Sequence, residues 1–292
     1  MYKQIAANKR NTILIMAGFV ALIGAIGCAF AYYFNDWAIA IWVLVISAIY
    51  AAVQYFIADK LAVAMTGAKK ITKKANPRLY NTVENLSITT GLPMPDVYII
   101  DDPAPNAFAT GRDPKHSIVA ATTGLIDIMD DKELTAVMAH EMSHVKNYDI
   151  RVSMIVFGLV CVIGVISDLG MRMLWYGDRR RSDERSPVGL VIMLATAILA
   201  PVAASLAQMA VSRQREYLAD ASAVNITRYP EGMISALKKL DSHTRPMHQQ
   251  NTATEAMFIT SPLKKGMISN LFSTHPPIEK RIERLEHGKF SF

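Results

Sequence analysis

The residues of this sequence best suited to chemistry, by type and spacing, are His140-Glu141-Met142-Ser143-His144. Residues four apart share one face of a helix, so both imidazoles can bind a single zinc ion. The glutamate beside them can then act as general base toward an attacking water. The surroundings suit a helix. Asp131-Lys132-Glu133 mark its start, Asp130 or Asp131 can cap it, and Leu134, Val137, Met138 and Val145 supply an apolar face on the way to Asn147. Two histidines do not complete a site. The longer motif, with a glycine three residues and a histidine six residues beyond His144, fails because Asn147 and Ile150 stand there. Downstream, Glu216-Tyr217-Leu218-Ala219-Asp220 sets two carboxylates one helical turn apart. Glu216 could be the third ligand, and Asp220 an acceptor for the far nitrogen of a ligand histidine. His243 and His248, in a polar stretch, are rival ligands. The only cysteines, Cys28 and Cys161, lie inside apolar runs, so neither a disulfide framework nor a thiolate metal site is available.

The elements that must position these groups point to a membrane. Of 292 residues, 51% are hydrophobic and 19% charged, against about 25% charged in a soluble globule. That much apolar side chain excludes a disordered chain. The net charge of +6 does not indicate nucleic acid, because Lys69, Lys70, Lys73 and Lys74 follow an apolar block, as juxtamembrane lysines do. No charge falls between Arg10 and Asp36, and the run Ile13–Phe34 would span about 33 Å as a helix. A second uncharged run, Trp37–Ile57, completes a transmembrane hairpin. Lys3, Lys9 and Arg10 precede it and Asp36 sits at its tip, so the N-terminus and the chain after residue 57 are expected in the cytoplasm.

Residues 58–151 read as a soluble α/β piece with strand candidates at 97–100 and 117–121. Two more apolar runs follow at 152–167 and 186–212, the second kinked by Pro201. Their connector, 168–185, carries Arg172, Arg179, Arg180, Arg181 and Arg185, against the positive-inside pattern. The pair either crosses regardless or dips in without crossing. Residues 213–292 are polar again, with helices near Pro230–Leu240 and Pro277–His287. The expected organisation is therefore an N-terminal hairpin (1–57), half of a catalytic domain (58–151), a second hydrophobic hairpin (152–212) and the other half (213–292). His144 lies eight residues before Val152, about 12 Å if the helix is unbroken, and Glu216 lies four after Ser212, about 6 Å. Both ligand helices thus lead into the membrane, and an active site at the cytoplasmic bilayer surface is expected.

In order along the chain, these motifs resemble the HtpX-type membrane zinc metalloproteases, relatives of the CAAX prenyl proteases. The resemblance spans nearly the whole sequence. It includes the two N-terminal spans, Asn106-Ala107-Phe108-Ala109-Thr110-Gly111, Thr122-Thr123-Gly124-Leu125, His140–His144, Glu216–Asp220, Thr274-His275-Pro276-Pro277 and Arg281-Ile282. It implies an α-helical membrane protein with four hydrophobic helices and an α+β zincin domain of the gluzincin type. One Zn2+ per chain would sit on His140, His144 and Glu216, with Glu141 as base. Asn106, Ala107, Phe108 and Ala109 would form an edge strand that pairs with extended substrate, a mode tolerant of sequence. His275 and Arg281 would hold substrate or the oxyanion. The implied task is hydrolysis of misfolded or damaged membrane proteins at the cytoplasmic face of a bacterial plasma membrane, in stress-linked quality control alongside other membrane proteases. Two rivals compete with this reading. An intramembrane-cleaving protease needs the histidine pair in an apolar span, whereas Asp131, Lys132, Glu133, Lys146 and Asp149 surround it here. A zinc-stabilised scaffold without catalysis has no need of Glu141 as a base.

Overall fold

Caps and hydropathy decide where the helices start and stop in the computed structural model, which describes residues 2–161, 163, 213–249, 254, 257–261 and 276–288. Helices α1 (Tyr2–Phe34) and α2 (Trp37–Thr66) form an antiparallel hairpin. Its tip is turned by Asn35 at φ 54°, and Asp36 caps α2 by accepting the Ala38 amide at 2.9 Å. Ile5–Cys28 and Ala40–Thr66 are each long and apolar enough to cross a membrane. Ile13, Leu14, Trp42, Ile46 and Phe56 are exposed along the hairpin, as a lipid-facing surface requires.

The second helix does not end with its apolar run at Ile57; it continues to Thr66. Lys60 stays exposed, while Ala58 and Ala62 turn inward, fully buried in a cluster with Phe108, Val156 and Phe157. The last turns of α2 therefore belong to the core that supports the site.

That core surrounds a four-stranded sheet made of β1 (Lys69–Lys70), β2 (Asp96–Ile100), β3 (Ala107–Asp113) and β4 (His116–Thr122). The strand order is β1-β2-β4-β3, with β2 and β4 parallel and the other two pairs antiparallel. Both expected strands are present, and the Asn106–Ala109 segment leads into the edge strand β3. Alternation along the strands divides the side chains between two faces. Val97, Ala107, Ala109, Val119 and Ala121 face a cluster formed with helices from both halves of the chain, the one that carries His140 and His144 among them. Ile100, Phe108 and Ala120 face the cluster formed with the hairpin. The sheet is thus sandwiched between catalytic helices and membrane helices. The lysines after α2 are partly engaged: Lys70 pairs with Asp96 at 2.7 Å and Lys73 with Glu84 at 2.6 Å.

The helices on the first face are α3 (Pro77–Thr90), α4 (Thr123–Ile128), α5 (Asp131–Lys146), α7 (Arg213–Thr227), α8 (Pro230–Ser242) and α9 (Ile278–Glu286). Between α5 and α7, residues 149–161 form a further helix, α6. Gly124, in the Thr122–Leu125 motif, must lack a side chain because a Cβ there would collide with the Pro103 carbonyl. Arg78 on α3 donates to the Ile126 and Met129 carbonyls and to Asp131, fixing the loop that starts α5.

Helix α5 ends at its C-cap Asn147, close to the expected end, and does not run unbroken into the next apolar segment, because Tyr148 adopts φ 61° and the helix restarts at residue 149. The arginine-rich connector 168–185 and the apolar run 186–212 lie outside the described residues.

Candidate active site

Helix α5 is planted by a reciprocal cap. Asp130 accepts the Lys132 and Glu133 amides at 2.8 Å, and Glu133 accepts the Asp130 amide at 2.7 Å. Glu133 also accepts from Lys239 at 2.6 Å, which ties α8 to the same turn. Leu134, Val137, Met138 and Met142 are fully buried. The helix is thereby fixed in rotation, with His140 and His144 aimed at α7, where Glu216 and Asp220 wait on one face.

The geometry fits a metal. His140 and His144 bring their Nε2 atoms to 3.2 Å. Glu216 Oε2 lies 3.7 Å from His140 Nε2, and its Oε1 lies 3.5 Å from His144 Nε2. Ligands about 2.0–2.1 Å from a tetrahedral zinc lie about 3.3 Å apart. Among the described residues, these three form the one group assembled this way. The two rivals are elsewhere: His243 is exposed and bonds to the Lys239 carbonyl, and His248 lies beside Asp102.

Each imidazole is held from behind. His140 Nδ1 lies 2.9 Å from Asp220 Oδ1, and His144 Nδ1 lies 3.0 Å from Asp149 Oδ2. These carboxylates assign the proton to Nδ1 on both rings. Both Nε2 lone pairs then converge on one point with a carboxylate, an arrangement that asks for a cation. Burial alone would lower the His140 imidazole, but the bonds to Asp220 and Glu216 outweigh it and push it up to about 9. His144 is also raised, with Asp149 and Glu216 overcoming burial. Among the described residues, the carboxylates of Glu141, Asp149, Glu216 and Asp220 gather around the two histidines, with Arg215 and Arg281 beside them.

Glu141 is 2% exposed, and burial lifts its carboxyl above the ordinary value against the pull of both histidines. Arg281, 1% exposed, reaches in from α9. It donates to Asp220 from Nε at 2.8 Å and from Nη2 at 2.6 Å, and stands 3.9 Å from Glu216. Burial raises the Asp220 carboxyl, but this guanidinium overrides it and leaves the group below its ordinary range. The structure therefore gives Arg281 a place behind a histidine, bonded to Asp220. His275 falls outside the described residues.

Asn106 is buried and pairs its side-chain amide with the backbone of Thr260, accepting at 3.3 Å and donating at 2.9 Å. Next to it, the Ile259 amide donates to the Ala107 carbonyl at 2.9 Å, and Phe108 bridges to Phe258. The outer edge of β3 at 106–108 is thus filled by residues 258–260 of the same chain. A substrate strand can pair at Asn106–Ala109 only if that segment gives way. Asp149 is absent from the sequence-based site: two ligand imidazoles call for two partners, but nothing local says that the second is this carboxylate and not a backbone carbonyl or water.

Buried His140, part-buried His144 and the buried Glu216 carboxylate form a group that could hold a metal ion, with Glu141 beside it. The family model of peptidase family M48 matches residues 73–289. A protein named Protease HtpX homolog from Tropheryma whipplei (strain Twist) is 56% identical over 286 residues, covering 98% of each chain. One of the same name from Ligilactobacillus salivarius is 48% identical over 294 residues, covering 98% of this chain and 99% of its own. The crystal structure of S. mikatae Ste24p shares the fold, with a TM-score of 0.51 and 17% identity over 98% of this chain and 67% of the other. The chain belongs to peptidase family M48, and it is a membrane metalloprotease.

Proposed function

We propose that the protein is a zinc-dependent endopeptidase of the gluzincin type, with one zinc ion per chain on His140, His144 and Glu216. The observation that carries this reading is the convergence of two Nε2 atoms and the Glu216 carboxylate while both Nδ1 atoms are held by Asp149 and Asp220. A zinc ion there would polarise the scissile carbonyl and make a water acidic enough to attack near neutral pH. Glu141 would accept a proton from the attacking water and pass it to the departing amine. Its raised proton affinity suits a group that must hold and then release a proton. Asp149 and Asp220 keep the two rings in register, and Arg281 acts as a positioning residue through Asp220. His275 is proposed, on the resemblance alone, to share the charge that develops on the carbonyl oxygen. Extended polypeptide adds to the β3 edge once residues 258–260 yield it.

The wider setting rests on the sequence. Four hydrophobic helices divided at residues 57, 151 and 212 would hold both halves of the domain on the cytoplasmic face, as Lys3, Lys9 and Arg10 support. The substrates would be misfolded or damaged membrane proteins. The test is cleavage of casein by the full-length chain in detergent. Cleavage is expected, should stop on addition of a strong chelator, and should return with zinc. Zinc binding without any cleavage would favour a metal-stabilised scaffold instead.

A further inference from the structure

Asn8 lies near the N-terminal end of α1, beside the exposed Lys9 and Arg10, and is only 2% exposed. Its Nδ2 donates to the Asn147 carbonyl at 2.8 Å and to Asp149 Oδ1 at 2.7 Å. Both partners are acceptors, which fixes the orientation of the amide. Asn147 ends the helix that carries both histidines, and Asp149 Oδ2 is the acceptor for His144 Nδ1. A single carboxamide on α1 therefore grips the turn at two points, one of them the carboxylate that aims a metal ligand.

The turn needs holding. Tyr148 sits at φ 61°, a conformation that costs a residue other than glycine about 1 kcal/mol or more. Its ring is flanked by Lys9 Nζ at 4.7 Å and Arg151 Cζ at 4.9 Å. Lys9, like Asn8, comes from α1. Among the described residues, Arg215 also stands near Asp149, its Nη1 3.8 Å from Oδ1.

We propose that the N-terminal end of the first membrane helix is a working part of the metal site, with Asn8 as a positioning residue that acts through Asp149 on His144. The inference rests on the zinc site proposed above. Partners behind a ligand histidine fix its tautomer and direction and raise its basicity, and their loss weakens metal binding about 10- to 100-fold. Asn8 stands one bond further out, so a smaller loss is expected for it. Through this contact, the seating of α1 in the bilayer is coupled to zinc retention.

The test is the zinc dissociation constant of the full-length chain in detergent, measured by competition with a chromophoric chelator. Asn8→Ala should weaken zinc binding by roughly tenfold, and Asp149→Ala by more. The double variant should bind zinc about as Asp149→Ala does, because the contact Asn8 keeps once the carboxylate is gone, to the Asn147 carbonyl, touches no group bonded to a ligand. Thr12→Ala removes a buried hydroxyl from the same helix, one bonded only to the Asn8 carbonyl, and should leave zinc affinity unchanged. Asn8→Ser keeps a small polar group too short to reach both acceptors, so it should behave like Asn8→Ala if that variant fails to fold. Wild type that takes up no zinc would defeat the metal-site reading itself. Wild type that binds zinc while Asn8→Ala and Asn8→Ser bind it as tightly would overturn this inference. So would losses that multiply in the double variant.

Discussion

Glu141→Gln should abolish measurable cleavage of casein while leaving the bound zinc in place. Removing a general base costs roughly 10²–10⁴-fold in rate, and Glu141 is outside the ligand set of His140, His144 and Glu216. The substitution keeps volume and shape, so the helix that carries the motif should stay packed on Leu134, Met138 and Met142. It also removes a carboxylate that burial holds above its ordinary titration range. Such a group is a burden on the fold, so the thermal midpoint of the variant should equal or exceed that of wild type. Rates compared at equal zinc content decide the matter. Cleavage that persists in Glu141→Gln and still responds to chelator would assign the base to another residue.

The second large effect concerns the group behind His140. Asp220→Asn preserves shape but leaves the Arg281 guanidinium, which is 1% exposed, without its bidentate partner. Breaking a buried ion pair from one side costs about 3–5 kcal/mol, and replacing the charged acceptor of His140 with a neutral amide should weaken zinc by up to about 10- to 100-fold. The sign of the pH dependence follows from the direction of the shift. The folded Asp220 carboxyl titrates below its ordinary value. Its stabilisation is therefore fully present above the unfolded value, about 3.9, and is lost only as pH falls through the lower folded value. Asp220's own titration should thus leave its share of the gap constant from pH 5 to 8 and closing only in stronger acid. The share it contributes by raising His140 to about 9 is complete below the ordinary imidazole value and fades as pH rises toward the folded one. The pair also separates stability from chemistry. Asp220→Leu combined with Arg281→Met should recover much of the lost stability, because apolar replacement of both partners removes the stranded charge. It should not recover zinc affinity. Thermal unfolding and chelator competition on the same three proteins read both quantities.

What the sequence disclosed depended on how local each signal was. His140, Glu141 and His144 are legible because one helix sets their spacing, and Asp130 with Glu133 announces where that helix begins. The strands at 96–100 and 116–122 were legible from short apolar runs between turn residues. The choice of Glu216 over His243 and His248 was not local, since it depends on which helix packs beside α5. The extension of α2 to Thr66 was hidden by Asp59 and Lys60, which end the apolar run but not the helix. Asp149 looked like one more surface charge near the motif, because the left-handed Tyr148 that turns it back toward His144 leaves no mark on hydrophobic periodicity. Asn8 looked like the boundary of a span for the same reason: its partners lie 139 and 141 residues away. The self-pairing of β3 with residues 258–260 was equally invisible, being a contact between two short extended segments far apart in sequence.

The claim on which the rest depends is that two histidines on α5 and one glutamate on α7 share a single ion. The zinc content of the purified full-length chain, measured by mass spectrometry of the metal, tests it most directly. About one zinc per chain is expected in wild type and in Glu141→Gln, and far less in Glu216→Ala, since a site with two ligands left holds the ion poorly. Equal zinc in Glu216→Ala and wild type would contradict the account and send the search for the third ligand elsewhere in the chain.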